Sequence, residues 1–301
     1  MDQYDEVWFG LENLTATGAG LLVSLRPEIG GVATTGVVDW YVKSDGGAGD
    51  IGASADSFPL CGAAGIGVDT DDQLNVIIRM RKDALTDDWV ALYTGGSDSA
   101  GSGILFVNGA ARIRAAGALT GITIADAATP NISTANMRII GVKHNEIAAS
   151  DAASGVIEMT GLSLSSWHQA SLILHGITVS DDGALLALEF QTASGWHTSG
   201  YLYSTASGNL SAGGAGMSYI RVGLLGNSTS EYAAGQVDII DPGGAGDKAI
   251  TANLCCQDTA GDTKLNASTG ELTTADAITG IRIKASTGTV SAGRAVLVGG
   301  L

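Results

Sequence analysis

The chain is short of charge, of aromatic rings and of proline. Only 15% of its 301 residues are charged and 5% are aromatic, with 4 Pro, 3 Cys and 4 His. Charged residues normally make up about 25% of a soluble domain, so small neutral side chains must cover much of this surface. A surface of that kind suits a protein whose faces are shared with neighbours or with copies of itself. The 15 Lys and Arg against 31 Asp and Glu leave a net charge of −16. That balance argues against nucleic acid as a partner, because phosphate binding needs clustered cations to displace counterions. It also disfavours anionic membrane surfaces. The tightest basic group, Arg79-Met80-Arg81-Lys82, alternates as one solvated strand would.

Cysteine and apolar runs are equally sparse. Cys61, Cys255 and Cys256 are too few for a disulfide framework, and none stands in a Cys-x-x-Cys or Cys/His metal spacing. Neighbours on a strand point to opposite faces, so one of Cys255 and Cys256 is expected in the core and the other outside. An interchain disulfide through the outer one is left open. No stretch approaches the ~18 uninterrupted apolar residues of a membrane helix, so no membrane insertion is expected. The acidic start, MDQYDEVWFG, lacks the basic region and apolar stretch of a signal peptide. The expectation is a soluble protein made in a cytoplasm.

The motifs of catalysis are missing too. His144, His168, His175 and His197 show neither the HExxH nor the H-x-x-x-H spacing that brings two imidazoles onto one metal. Asp69-Thr70-Asp71-Asp72 begins like a calcium loop, but Leu74 stands at the glycine position and Met80 where the closing glutamate belongs. A solvated turn is expected there. Asp87-Asp88 and Asp181-Asp182 are adjacent and diverge on a strand, whereas paired glycosidase carboxylates face one another across roughly 5–10 Å. No phosphate loop, nucleophile elbow or Cys/His nucleophile arrangement occurs. The reading is a protein that is not an enzyme, with no catalytic, cofactor-binding or metal residue and no cofactor.

What the chain does have is repetition. Residues 118–141 read ALTGITIADAATPNISTANMRIIG and residues 277–299 read AITGIRIKASTGTVSAGRAVLVG. Each is an apolar-Thr-Gly-Ile-x-Ile run, a short turn and a second run ending in Gly. Upstream, the segment from Tyr4 aligns without a gap on the segment from Trp167. Leu11 falls on Leu174, Leu14 on Ile177, Thr15 on Thr178, Gly20 on Gly183, Leu25 on Leu188 and Trp40 on Tyr203. Two matches in the same order indicate a tandem duplication. The domains are read as 1–143 and 155–301, with the small polar stretch 144–154 as linker. Each domain is then long enough to bury about two-thirds of its unfolded surface.

The local pattern is that of strands. Ala111-Arg-Ile-Arg114, Gly121-Ile-Thr-Ile124, Tyr219-Ile-Arg-Val222 and Gly280-Ile-Arg-Ile283 alternate with period two. Between such runs lie turn-forming clusters, among them Asp45–Asp50, Gly95–Asp98, Ser180–Gly183, Pro242–Gly246 and Ser286–Gly288. Gly213–Gly216 reads as a hairpin loop. An all-β chain of two tandem antiparallel β-sandwich domains follows, jelly-roll-like, with about eight strands each. In the duplicated hairpin, Ile122 and Ile124, like Ile281 and Ile283, are expected to point into the core. The few aromatics fall in both domains, with Trp8, Trp40 and Trp89 in the first and Trp167 and Trp196 in the second. Core packing and subunit contacts are their commoner uses in a sandwich; the alternative is that Trp196 and His197 with Tyr201 and Tyr203 form a stacking platform for a host glycan or receptor.

In two stretches the chain resembles the small β-sandwich virion proteins of tailed bacteriophages. Those proteins carry an aromatic-rich strand followed by a Ser/Thr-Asp-Gly-apolar turn, matched here by Trp167 to Phe190 with Ser180-Asp-Asp-Gly183. They close with a Gly- and Ser-rich hairpin, matched by Ile278 to Gly299 with Ser286-Thr-Gly-Thr-Val-Ser-Ala-Gly293. The family hairpin ends Leu-Tyr-Gly; this chain has Leu297-Val298-Gly299. The resemblance covers most of the second domain and, more weakly, the first. It implies a structural subunit of a tail, neck or head fibre or decoration assembly, folded in the host cytoplasm and located in the virion. Its partners would be other virion proteins and itself, as a homo-oligomer, with a trimer expected because fibre-like virion proteins are usually trimeric.

Overall fold

A computed structural model describes residues 4–16, 23–44, 50–61, 73–99, 103–126, 132–205, 213–228, 231–257 and 262–299. Among these residues every regular element is a strand and every pairing is antiparallel. None forms a helix long and apolar enough to cross a membrane. The chain divides into two compact units: Met1–Asp83 with Asp87–Lys143, and Ala84–Thr86 with His144–Leu301.

Unit 1 opens with β1 (Glu6–Ala16), β2 (Val23–Ile29), β3 (Val32–Ala33), β4 (Val38–Ser44), β5 (Asp50–Ala55) and β6 (Phe58–Pro59). It continues with β7 (Leu74–Lys82), β8 (Trp89–Ser99), β9 (Gly103–Ile113), β10 (Leu119–Asp126) and β11 (Ile132–Val142). Unit 2 begins with β12 (Asn145–Asp151), β13 (Val156–Thr160), β14 (Gln169–Val179), β15 (Ala184–Thr192), β16 (Gly195–Trp196) and β17 (Tyr201–Thr205). Next come β18 (Gly213–Met217), β19 (Ile220–Leu225), β20 (Ala233–Ile240) and β21 (Lys248–Gln257). β22 (Thr263–Leu272), β23 (Gly280–Ala285) and β24 (Val290–Gly299) complete it.

In unit 1 a seven-stranded sheet, β11-β1-β7-β8-β9-β4-β5, packs on a four-stranded one, β10-β2-β3 with β6 beside β2. Unit 2 repeats the order in an eight-stranded sheet, β12-β24-β14-β20-β21-β22-β17-β18. Its five-stranded partner sheet is β13-β23-β15-β16 with β19 beside β15. Period-two alternation drives the layering: β2 reads buried at every second residue, and its inward Val23, Leu25 and Ile29 meet Phe9, Leu11 and Ile78 of the larger sheet. The core of unit 2 is built alike, from Leu172, Leu174, Val237 and Ile250 against Leu188, Phe190, Ile281 and Ile283.

The duplication reaches the register itself. Met80 pairs with Ala91 in unit 1 and Ile239 with Ile250 in unit 2. Val38 pairs with Ile113, and Tyr201 with Leu272. Leu25 pairs with Phe58, and Leu188 with Ile220. Even the irregularities recur. The pairing of β1 with β7 skips between Leu11 and Leu14, and that of β14 with β20 skips between Leu174 and Ile177. The bulged residue is left-handed in both copies, Asn13 at φ 54° and Gly176 at φ 53°, and Asn and Gly are the residues that tolerate this region best.

Two sequence expectations change. The stretch 144–154 is not a linker: Asn145–Asp151 is β12, the edge strand paired with β24. Small polar residues suit an edge strand as well as they suit a loop, which is why composition did not separate the two. Gly95–Asp98 and Gly213–Gly216 are likewise strand rather than turn, inside β8 and β18. Counting the two-residue pieces, unit 1 has eleven strands and unit 2 thirteen among the described residues, against about eight expected.

Gly95 is a glycine for reasons of space. Val76 lies opposite it, and a Cβ on Gly95 would fall 2.1 Å from the Asn75 carbonyl oxygen and 2.8 Å from Val76 Cα. The matching pair in unit 2 is Gly235 opposite Leu254, where a Cβ on Gly235 would fall 2.3 Å from the Asn253 oxygen. The same crowded pair thus keeps one glycine in each copy, on opposite strands. Gly95→Ala and Gly235→Ala are each expected to destabilise their unit by about 2–3 kcal/mol through backbone overlap. The check is the shift of the urea unfolding midpoint, with Gly246→Ala, whose Cβ would meet nothing within 4 Å, as the control.

Candidate functional site

The platform expected from Trp196, His197, Tyr201 and Tyr203 is not assembled. Tyr201 and Tyr203 alternate inward on β17 and are buried in the core of unit 2, while Leu202 between them faces out. Tyr201 Oη accepts the Phe190 amide at 2.8 Å and donates to the His197 carbonyl at 3.5 Å. It closes the β15–β17 corner from inside. His197 Nε2 lies 3.1 Å from Thr192 Oγ1, so its imidazole serves the same corner.

Trp196 is half-buried and already has a stacking partner. The Arg282 guanidinium lies 4.3 Å from its ring centroid, a cation–π contact. Arg282 in turn holds Glu189 at 3.0 Å and Glu158 at 3.6 Å, and Lys284 contacts the other Glu189 oxygen. These residues sit side by side on β13, β23 and β15, as Glu158↔Arg282 and Arg282↔Glu189 pairs. Two acids and two bases balance. The cluster braces the outer face of the smaller sheet rather than presenting an open ring to a sugar.

A fully buried cation, Lys248, makes its contacts to backbone. Its Nζ donates to the Gly244 oxygen at 2.6 Å, to the Gly246 oxygen and to the Thr274 oxygen at 3.5 Å. In unit 1 the equivalent first residue of β8 is Trp89, whose Nε1 donates to the Gly117 oxygen at 3.0 Å. Both are long side chains that tie the end of the sheet to a loop carbonyl.

Two open features stand out among the described residues of unit 1. The first is a furrow of about 390 Å³ on the outer face of the seven-stranded sheet. Gly10, Leu11, Val76 and Gly95 line it together with Ile77, Phe106, Glu12, Asn75 and Thr94. Trp8 and Phe106 lie on this face, but Arg79 is stacked 4.4 Å from the Trp8 ring. Phe106 is 62% exposed.

The second is the flank formed by β10 and β11. In unit 2, β12 covers the edge of β24 and β13 covers the edge of β23. Among the described strands of unit 1, neither has a counterpart, so β11 pairs only with β1 and β10 only with β2. The effect on burial is large. Leu297 and Ala295 of β24 are 0% exposed, whereas the equivalent Ile139 and Met137 of β11 are 48% and 49% exposed. Yet both face inward, opposite Phe9 and Leu11. Ile122 and Ile124 of β10 are half-buried where Ile281 and Ile283 are fully buried. Sequence reasoning had placed both isoleucine pairs equally in the core. It had no means of seeing that one pair lacks a covering strand.

Compared with family models, with curated proteins and with solved structures, the chain matches none. Among the described residues no group of three His, Cys, Asp or Glu is placed to hold a metal ion. Asp69–Asp72 lies outside the described residues. Asp87 pairs with Lys82 and Asp88 with Arg112, each at 2.8 Å. Cys255 and Cys256 are both buried, so the expected exposed partner is absent.

Burial raises the Tyr201 phenol well above its ordinary 10.0 and the Cys256 thiol well above its ordinary 9.0. Tyr203 is raised as well, again by burial first. The unfolded chain loses these protons as pH passes 9 and then 10, while the folded chain keeps them. The folded state then binds more protons, so stability falls as pH rises through that window. Urea midpoints measured from about pH 8 to about pH 10.5 should therefore decline for unit 2, and Tyr201→Phe should flatten the decline above pH 10.

Proposed function

We propose that the chain is a non-enzymatic structural subunit of a bacteriophage particle, at a tail, neck or head fibre or decoration position. It is made in the host cytoplasm and incorporated into the virion, where it contacts further copies of itself and other virion proteins. The observation that carries this reading is the open flank of unit 1. There, inward-facing apolar residues of a well-formed sandwich are left half-exposed, as in a subunit completed by a neighbour. The duplicated register supports it, since two copies of one sandwich repeat a surface. The scarcity of charge leaves that surface largely neutral and suited to close contact. The resemblance of Trp167–Phe190 and Ile278–Gly299 to virion proteins supplies the particle.

A second reading is favoured by one feature. The furrow in unit 1 combines the exposed Phe106 ring with Glu12, Asn75 and Thr94, the mixture of apolar face and polar groups that saccharides contact. As a glycan- or receptor-contacting face it would replace the Trp196–Tyr203 platform. The two readings part experimentally. Immunogold labelling and mass spectrometry of purified particles should place the protein on head, neck or tail; its absence from intact particles sinks the structural reading. Binding to a glycan array that is lost in Phe106→Ala, with unfolding unchanged, would establish the second.

A further inference from the structure

Unit 2 records what the flank of this sandwich needs: a strand against the edge of the larger sheet and cover for the inward residues behind it. We propose that in unit 1 this cover is a second copy of the chain, related by a twofold axis, with β11 of one copy paired antiparallel to β11 of the other. The inference does not rest on the particle reading; it concerns any assembly of this chain.

Unpaired edges are templates for strand addition, and four observations select a second copy as the occupant. First, the flank is nearly neutral. β10 and β11 together contain one acidic and one basic residue, Asp126 and Arg138, in a chain of net charge −16. Two such flanks approach without the repulsion that other faces would meet. Second, the chain's own covering hairpin does not fit here. In unit 2, β12 and β13 are held through Arg294–Asp151 at 3.4 Å and Arg282–Glu158 at 3.6 Å. At the equivalent positions unit 1 has Asn136 and Thr123, which offer no cation to an acidic hairpin.

Third, β11 is self-complementary. A twofold axis normal to the sheet keeps inward residues opposite inward residues, so the centre of pairing falls on a residue. Centring on Arg138 would oppose two guanidinium groups, which is unfavourable. Centring on Ile139 sets Ile139 against its counterpart, Met137 against Gly141 and Arg138 against Ile140. Ile139 and Met137 then lie on the core side of both copies, where unit 2 has Leu297 and Ala295. The same axis brings the two β10 edges together in the second layer. Fourth, the opposite edge is no rival. β5 is open in unit 1, but its counterpart β18 is open in unit 2 as well, so openness there is common to both copies. The contact is isologous and closes a pair; the trimer expected from the resemblance would need a different surface.

The test is the mass in solution together with a register-specific cross-link. Light scattering and sedimentation equilibrium on the intact chain should give twice 30.2 kDa. Ile139→Lys should weaken association by roughly tenfold or more, since it sets two like charges opposite each other, while the far-ultraviolet circular dichroism spectrum stays that of the folded chain and the melting point loses its dependence on protein concentration. Ile51→Lys on β5 should leave the dimer intact. In Ile139→Cys, mild oxidation with copper phenanthroline should give a covalent dimer. Directly opposed residues lie about 4.5–5.5 Å apart between Cα atoms, within disulfide range, whereas Ile51→Cys should stay uncrosslinked. A monomer at every concentration, a trimer indifferent to Ile139→Lys, or equal cross-linking at Ile51→Cys would overturn the proposal.

Discussion

β1 and its counterpart β14 are each paired on both sides, and a single left-handed residue within each sets the register on which everything else depends. β1 lies between β11 and β7, and β14 between β24 and β20. At Asn13 and Gly176 the strand takes one extra residue and then resumes pairing. Because side chains alternate with period two, a slip of one position would turn every inward residue outward. Phe9 and Leu11, or Leu172 and Leu174, face the core only because pairing on the two flanking strands agrees with the bulge. Most bulges are kept for such a reason, and here the same one is kept twice.

On that shared frame the two units have diverged by compensation. The crowded pair is Val76 with Gly95 in one copy and Gly235 with Leu254 in the other, so bulk has moved across the strand pair without leaving it. At the end of the sheet, Trp89 and Lys248 use unrelated side chains to reach a loop carbonyl. The smaller sheet of unit 2 gains a braced outer face, with Glu189 held by Arg282 and Lys284. The largest difference is not a substitution. Unit 2 carries β12 and β13, and its core is sealed at the side where unit 1 is open. Among the described residues, duplication followed by unequal closure leaves one sandwich covered on this flank and the other open there, a combination suited to joining.

Several of these features were legible in the chain and several were not. The alignment of Leu11 on Leu174 and Leu14 on Ile177 is confirmed residue for residue by the pairing of the strands. The alternation Tyr201, Leu202, Tyr203 held the information that both tyrosines share a face, and counting them as a surface platform overlooked it. Gly95 looked like a turn because glycine usually marks one; in β8 it marks the close approach of another backbone. Alternation did place Cys255 and Cys256 on opposite faces. It did not show that both faces would be covered.

The sequence by itself determined the all-β class, the duplication and the inward or outward sense of most strand residues. These follow from period-two patterning and turn chemistry, which act between near neighbours. Tertiary structure decided which edges are covered, because cover comes from strands distant in sequence whose own patterns name no partner. Asn145–Asp151 looks like a linker until it lies against β24, and Ile139 looks like a core residue until no described strand covers its far side. For a protein read as working through its surfaces, that second kind of information bears most directly on what it does.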